Sequence, residues 1–389
     1  MLNLALVGIG NCGNQIAALA QKEANVSVAC INTSENDLAI LPDSLKDCSF
    51  MIGDHQGSGK NRADAKRFLK DSVTKLVSDE KFQKIIADKD VIFVASSTGG
   101  GTGSGIAPIM SSIIRQTFRD SEGKEKPIIL LGVLPKLSEG QSTQMNTLEY
   151  LHELYELLED EQPTYMLYDN NNYAKESGST VLQKVNADIV SDLKVLQLTY
   201  NTPTPYDSID EKDMKQICLV PGRMVIASTF GIKEKDLDEK DIEDLLIQNL
   251  KSNSHAEIQR DGIVGNTGLI TNLSEKLNAT FDTHLPKVFK FIGDPIQEFL
   301  HIAVNKDRDM PNNVALIVSG MSKITDRIDK IEERIEEINQ RKEEQASARR
   351  NCVIDTEQLE KFNEQKNSRA TSGVETQADL KSTFSKFGL

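Results

Sequence analysis

The sequence is poor in the patterns that mark a metal centre or a disulfide scaffold. Its five cysteines, Cys12, Cys30, Cys48, Cys218 and Cys352, are odd in number and scattered, with no CxxC pair. That argues against a disulfide framework and against a zinc site, and it fits a reducing cytosol, so a cytoplasmic protein is expected. The five histidines are equally dispersed. Basic charge is short too: 45 Lys and Arg stand against 59 Asp and Glu, a net charge of -14. An acidic chain is a poor direct binder of nucleic acid or of an anionic membrane, so any contact with DNA would run through a basic partner. No apolar run approaches the roughly 18 residues of a membrane helix. The N-terminus, MLNLALVGIG, is apolar but lacks a basic n-region and runs straight into a glycine loop. It reads as a buried strand, not a signal peptide.

What is present is an alternation. The chain has 389 residues, enough for two domains of ordinary size. Short apolar runs (LNLALVGI, VSVACI, CSFMI, DVIFVAS, PIILLGVL, TYMLYD) alternate with helical patterns at 61–77, 106–118 and 142–159. Several runs are continuously apolar, as expected for strands covered on both faces. The spacing predicts an α/β fold with a doubly wound parallel sheet over 1–177, whose ligands bind at the carboxyl ends of the strands. A connecting helix follows over 178–200, its buried stripe formed by Leu182, Val185, Ile189, Leu193 and Leu196. The prolines of NTPTP end it. A second, smaller α/β domain is predicted over 201–320, with strands GRMVIAST, GLITNL and NNVALIVSG and helices at 241–250 and 295–304. A long C-terminal helix over 321–350 carries an apolar seam of Ile324, Ile328, Ile331, Ile335 and Ile338, suited to packing on its own domain or against a neighbouring subunit. Residues 351–389 read as a flexible polar tail ending in a short docking motif of Leu380, Phe384, Phe387 and Leu389.

Three glycine loops sit on one sheet edge. The first, GIGNCGNQIA, follows strand one and contains G-x-G-x-x-G at Gly8, Gly10 and Gly13. Such a turn brings the backbone and a helix N-terminus up to a pyrophosphate. A nicotinamide enzyme would place an acid at the end of strand two, where Asn32 and Thr33 stand instead, so an oxidoreductase is disfavoured. The second loop, GDHQGSGKNR, carries Gly57, Ser58, Gly59 and Lys60. It fails as a P-loop, because Asp54 replaces the first glycine and Asn61 the final Ser or Thr. The third, SSTGGGTGSG, holds Gly99, Gly100, Gly101, Thr102, Gly103 and Ser104 between a buried strand and a helix whose first turn contains Pro108. Consecutive backbone N–H groups there form an anion-binding nest. Three such loops imply one polyphosphate laid along the strand ends.

GGGTGSG resembles the signature of the tubulin/FtsZ superfamily. GNCGNQIA, with Gly10, Asn11, Cys12, Asn14 and Gln15, is similar to that family's first nucleotide loop, and GSGKN to its third. PKLSEG resembles the segment whose glutamate, here Glu139, holds the ribose; Thr143 stands near the place of a family arginine. YDNNN resembles the loop whose asparagine, here Asn170, reads guanine. The resemblance runs from residue 1 to about 320 in motif order. It implies GTP and GDP as ligands, with Mg²⁺ held mainly by phosphates and water, and with Asn11 or Asp54 as the side chains offered to it. For a second base contact on the connecting helix, Asn186 lies at the edge of the buried stripe and Asp188 points away from it, which favours Asn186.

SIDEKD opens the second domain and resembles the family's acidic segment, with Asp210 and Asp213 at the acidic positions and Ser208 in place of an asparagine. The resemblance implies that these two residues complete the site of the next subunit and polarise a water toward the γ-phosphate; Asp210 also suits a helix N-cap. It further implies a head-to-tail homopolymer, a cytomotive GTPase most similar to TubZ-type tubulins of plasmids and phages. Such filaments segregate or position DNA through a DNA-binding adaptor, here expected on the C-terminal helix or tail. An FtsZ-like cell-division GTPase is the alternative.

Overall fold

The computed structural model describes residues 2–119, 123–160, 163–197, 204, 208–233, 241–305 and 311–351. The tail motif at 380–389 and most of the NTPTP turn lie outside them. The first half alternates strand and helix: β1 (Leu4–Ile9), α1 (Gly10–Ala24), β2 (Ser27–Asn32), α2 (Glu35–Ala39), β3 (Ser49–Met51), α3 (Arg62–Ser78), α4 (Glu80–Ala87), β4 (Val91–Ser97), α5 (Thr102–Thr117), β5 (Ile128–Leu134), α6 (Gln141–Asp160) and β6 (Thr164–Asp169). Then come α7 (Gly178–Leu196), α8 (Glu211–Cys218), β7 (Gly222–Ile232), α9 (Ile242–Ser252), β8 (Ile263–Ser274), α10 (Glu275–Thr280), α11 (Pro286–Ile292), β9 (Asp294–Asn305), β10 (Asn312–Met321) and α12 (Asp326–Asn351).

The strands form one sheet in the order β3-β2-β1-β4-β5-β6-β7-β10-β8-β9. From β3 to β6 every pairing is parallel. The order reverses between β1 and β4, which opens a crevice at their carboxyl ends. β1 shows why the continuous apolar runs were needed. Leu4 and Leu6 enter the core beneath α1 and α7, while Ala5, Val7 and Ile9 enter the opposite core beneath α3, α5 and α6. Beyond β6 the sheet continues through a short parallel contact at Thr164↔Gly222 and Tyr165↔Arg223, then β10 pairs antiparallel with both β7 and β8.

Three local expectations change. Residues 295–304, expected as a helix, form strand β9, in parallel register with β8 from Ile263↔Asp294 to Ser274↔Asn305. β9 is the outer edge of the sheet, where Pro295 need not donate to a neighbour. Its 3- and 4-residue apolar steps fit either element, and the open sheet edge decides. Helix α5 starts at Thr102, so Pro108 lies inside it rather than in its first turn. The proline lacks the N–H that would bond Ser104 O, and Arg62 Nη1 takes its place at 2.8 Å. Finally, Leu182 does not belong to the buried stripe of α7: it is 40% exposed, whereas Val181, Val185, Ile189 and Leu193 are buried. The isoleucine seam packs on its own domain at its start, where Ile324 and Ile328 join the core beneath α5 and α6, and Ile331 is buried.

Candidate nucleotide site

Two helix N-termini meet at the crevice. α1 begins at Gly10 directly after β1, and α5 at Thr102 directly after the loop that follows β4. Neither has a side-chain cap, and neither has an acidic residue in its first turn. Both therefore leave first-turn N–H groups and the positive end of the helix dipole for an anion. α3, by contrast, is capped by the Asn61 side chain, which accepts from Ala63 N and Asp64 N. The loop before it supplies N–H groups differently. Gly53, His55, Gly57, Gly59 and Lys60 all have positive φ, the alternation that curls a backbone into an anion nest.

The loops are locked together by hydroxyls. Thr102 Oγ1 lies 2.7 Å from Thr33 Oγ1 and 3.2 Å from Ser58 Oγ. A side chain at Gly101 would put its Cβ 2.3 Å from Ser58 Oγ and 2.7 Å from Lys60 Cα, so this glycine lets the second loop close on the third. Asn146 Nδ2 bonds the carbonyls of Lys60 and Gly100 (both 3.0 Å), and buried Arg62 bridges to Glu149 and Glu153 of α6 at 3.0 and 2.6 Å.

The enclosed space has two compartments. One, of about 380 Å³, is lined by the first, second and third glycine loops and by Asn32, Thr33 and Asp37. The other, of about 400 Å³, has apolar walls of Val133, Pro135, Val181 and Leu182. Cys12, Lys60, Ser97 and Gly100 border both. Lys60 donates to Thr143 Oγ1 at 3.0 Å, so its ammonium sits at the junction. Asn170 Oδ1 is buried without a hydrogen-bond partner in the second compartment. Glu139 lines the same compartment, with Oε1 accepting from Lys136 N at 2.9 Å. Backbone donors with a shared cation on one side, and apolar walls with an orphaned acceptor on the other, suit the phosphates and the base of a nucleotide. The Cys12 thiol at the junction is pushed up to about 12 by burial, which keeps it a neutral wall group and not a thiolate.

Most residues expected at the nucleotide line one of these compartments. Asn14, Gln15, Ser104 and Asn186 do not. Asn14 is fully buried beneath the first loop; its amide, oriented to suit its neighbours, donates to Gly8 O (2.8 Å) and accepts from Asn32 Nδ2 (3.0 Å). Gln15 turns back to Asn11 Oδ1 at 3.0 Å. Ser104 is buried and bonds Gly100 O. Asn186 is buried one turn beyond Leu182, and Asp188 accepts from the Tyr173 hydroxyl at 2.9 Å. Asp54 also stays outside, accepting from Gln56 N at 3.2 Å, while Asp37 is the carboxylate that lines the phosphate side. Among the described residues no group of three or more His, Cys, Asp or Glu could hold a metal. Nor, among them, is any helix long and apolar enough to cross a membrane.

Asp210 and Asp213 line neither compartment. They form a capping box on α8: Asp210 Oδ1 accepts from Asp213 N at 2.8 Å, and Asp213 Oδ2 from Asp210 N at 3.0 Å. One turn on, Lys215 Nζ reaches Asp90 Oδ1 at 2.9 Å, and Asp90 immediately precedes β4. The glycine loop lies at the other end of that strand, about 20 Å away at roughly 3.3 Å per residue. The acids and the phosphate compartment are therefore at opposite poles of one molecule.

A family model of the Tubulin/FtsZ family, GTPase domain, matches residues 3–177. This stretch, somewhat under half of the chain, is similar to that GTPase domain. Two curated relatives extend the likeness beyond that domain. The tubulin-like protein CetZ of Thermococcus kodakarensis is 26% identical over 259 residues, covering 64% of this chain and 63% of the relative. The tubulin-like protein TubZ of Clostridium botulinum C phage is 26% identical over 258 residues, covering 65% and 64%. The matched stretch is thus just under two thirds of either relative's length. Among solved structures, a GTPγS-form protofilament of Bacillus thuringiensis serovar israelensis TubZ superposes with a TM-score of 0.70 at 15% identity, covering 89% of this chain and 94% of that one. The matched stretch contributes both compartments up to Asn170; Gly178, Val181 and Leu182 of α7 close the base side. Among the lining residues, Asp37 and Val181 lie outside every motif singled out above and were not foreseen from the sequence. A turn that closes only in three dimensions leaves no local signal.

Proposed function

We propose that the chain is a filament-forming GTPase whose hydrolytic site is split between two copies. The observation that carries this reading is the polar separation of parts. The phosphate cradle lies at the carboxyl end of β4, and Asp210 and Asp213 lie beside its amino end. A head-to-tail contact sets the amino pole of one copy on the carboxyl pole of the next, and it repeats without closing, as a filament. The solved relative in protofilament form supports such stacking.

In this reading the uncapped ends of α1 and α5 and the nest before α3 hold the phosphates. Lys60 spans phosphate and ribose, Glu139 takes the ribose, and Asn170 Oδ1 accepts from the base N–H edge. Val181 and Leu182 pack on the base face. Asp210 and Asp213 of the next copy orient a water in line with the γ-phosphate, where positioning supplies most of the rate. Magnesium would offset phosphate charge. With one lining carboxylate, Asp37, and Asn11 nearby, the donor set fits an ion that keeps its waters.

The finer reading is DNA segregation through a basic adaptor docked on the C-terminal segment. It rests on the net charge of -14 and on the charge-dense α12, since identity to the archaeal and phage relatives is equal. The core proposal is tested by phosphate release against protein concentration. Activity per molecule rises as copies meet; a specific activity unchanged by dilution overturns the split site.

A further inference from the structure

Arg327 is a long way in sequence from every nucleotide loop, yet it joins two of them. It enters from the second residue of α12 and is 3% exposed. Its Nε donates to Asp169 Oδ2 at 2.6 Å, and its Nη2 to Asp169 Oδ1 at 3.2 Å and to Pro135 O at 2.5 Å. Asp169 is the last residue of β6 and caps the turn that presents Asn170, with Oδ1 accepting from Asn171 N at 2.8 Å. Pro135 begins the ribose loop and lines the base compartment. Burial pushes the Asp169 carboxyl up, and Arg327 pulls it back down. The two loops have their own cross-link, Leu137 N to Asn171 Oδ1 at 3.3 Å, so the guanidinium closes a ring of bonds around the base end of the site.

We infer that Arg327 is a positioning residue for the guanine nucleotide: it sets the spacing between the base loop at Asp169–Asn170 and the ribose loop at Pro135–Glu139, and so couples the start of α12 to nucleotide occupancy. The inference rests on the nucleotide reading given above. A fork-shaped guanidinium can bond two carboxylate oxygens and a carbonyl at once, whereas an ammonium of shorter reach cannot hold that geometry. Nothing from α12 needs to touch the nucleotide for the coupling to act. Nucleotide that orders the two loops also orders the group that bonds both of them, and coupling of this kind is reciprocal.

The first test uses the wild-type chain, by hydrogen exchange with and without GTP. Amides of 325–331 should slow on GTP addition together with those of 136–139 and 170–173. The second compares wild type with Arg327→Lys and Arg327→Met, reading affinity for GTP, for ITP (which lacks the guanine amino group) and for tripolyphosphate. Both variants should lose about tenfold or more in GTP affinity, and the preference of GTP over ITP should shrink. Tripolyphosphate, which needs only the glycine loops, should bind unchanged. GTP affinity and selectivity within twofold of wild type in Arg327→Lys would overturn the inference. So would a parallel loss of tripolyphosphate, which means general unfolding, or protection confined to the loops. Failure of the wild-type chain to bind GTP at all would instead remove the nucleotide reading, and this inference with it.

Discussion

Asp210 has two roles that a single substitution can separate. In the structure it caps α8 through Oδ1, and in the split-site reading its charge acts on the neighbouring copy. Asp210→Ala removes both. Loss of an N-cap costs about 1 kcal/mol, a fall in melting temperature of only about 1 °C for a chain of this size, at about 2 cal/mol/K of unfolding entropy per residue. Asp210→Asn keeps the cap, because an asparagine Oδ1 accepts from Asp213 N as well as a carboxylate oxygen does. The return bond from Asp210 N to Asp213 Oδ2 involves the backbone and survives. What Asn loses is the charge at the helix start, about 0.3–1 kcal/mol on an exposed end. The two variants therefore differ in stability but lack the same carboxylate. If that carboxylate polarises the attacking water, both lose phosphate release by about 10²-fold or more, the usual scale of a general base. Both keep GTP affinity, and their filaments persist in GTP. The assay is phosphate release above the assembly concentration, paired with pelleting and a thermal melt. Asp210→Asn hydrolysing within a few-fold of wild type, while Asp210→Ala fails, would mean the acid is a cap only.

Other outcomes follow from the same geometry. Gly101→Ala should weaken GTP binding by at least about tenfold, since its Cβ would lie 2.7 Å from Lys60 Cα and force the second loop away; titration with a fluorescent nucleotide checks it. Asn170→Ala removes the orphaned acceptor and should erode the preference for GTP over ATP while leaving tripolyphosphate binding intact, by competition assay. Acid should loosen the segment that carries Asp210. His301 is buried and its pKa is held below the ordinary 6.5 by desolvation, and its Nδ1 accepts from Ile209 N, next to Asp210, at 3.3 Å. Below pH 6.5 the unfolded chain binds the proton first. Stability should therefore be level above about pH 7 and fall as pH drops, by no more than about 1.4 kcal/mol per pH unit from this one group. His301→Gln should flatten that slope in melts run from pH 5 to 8, and an unchanged slope would clear His301 of the role.

Residues that act through their own backbone were legible in the sequence. The glycine loops, the continuously apolar strands and the order of motifs pointed to a doubly wound sheet with those loops gathered at the carboxyl ends of its strands, because φ, helix termini and strand burial are local properties of the chain. Local signals also misled where two elements share one pattern: 295–304 steps like a helix, but an open sheet edge beside β8 made it a strand. Leu182 keeps the helical period of its neighbours, yet it faces a cavity that forms only when α7 lies across the end of β5 and β6. The tertiary structure alone placed Arg327 against Asp169 and Asp210 at the far pole from Gly101. Those relations are set by how the elements cross, and crossing depends on cores built from residues hundreds of positions apart, a distance over which no local pattern carries information.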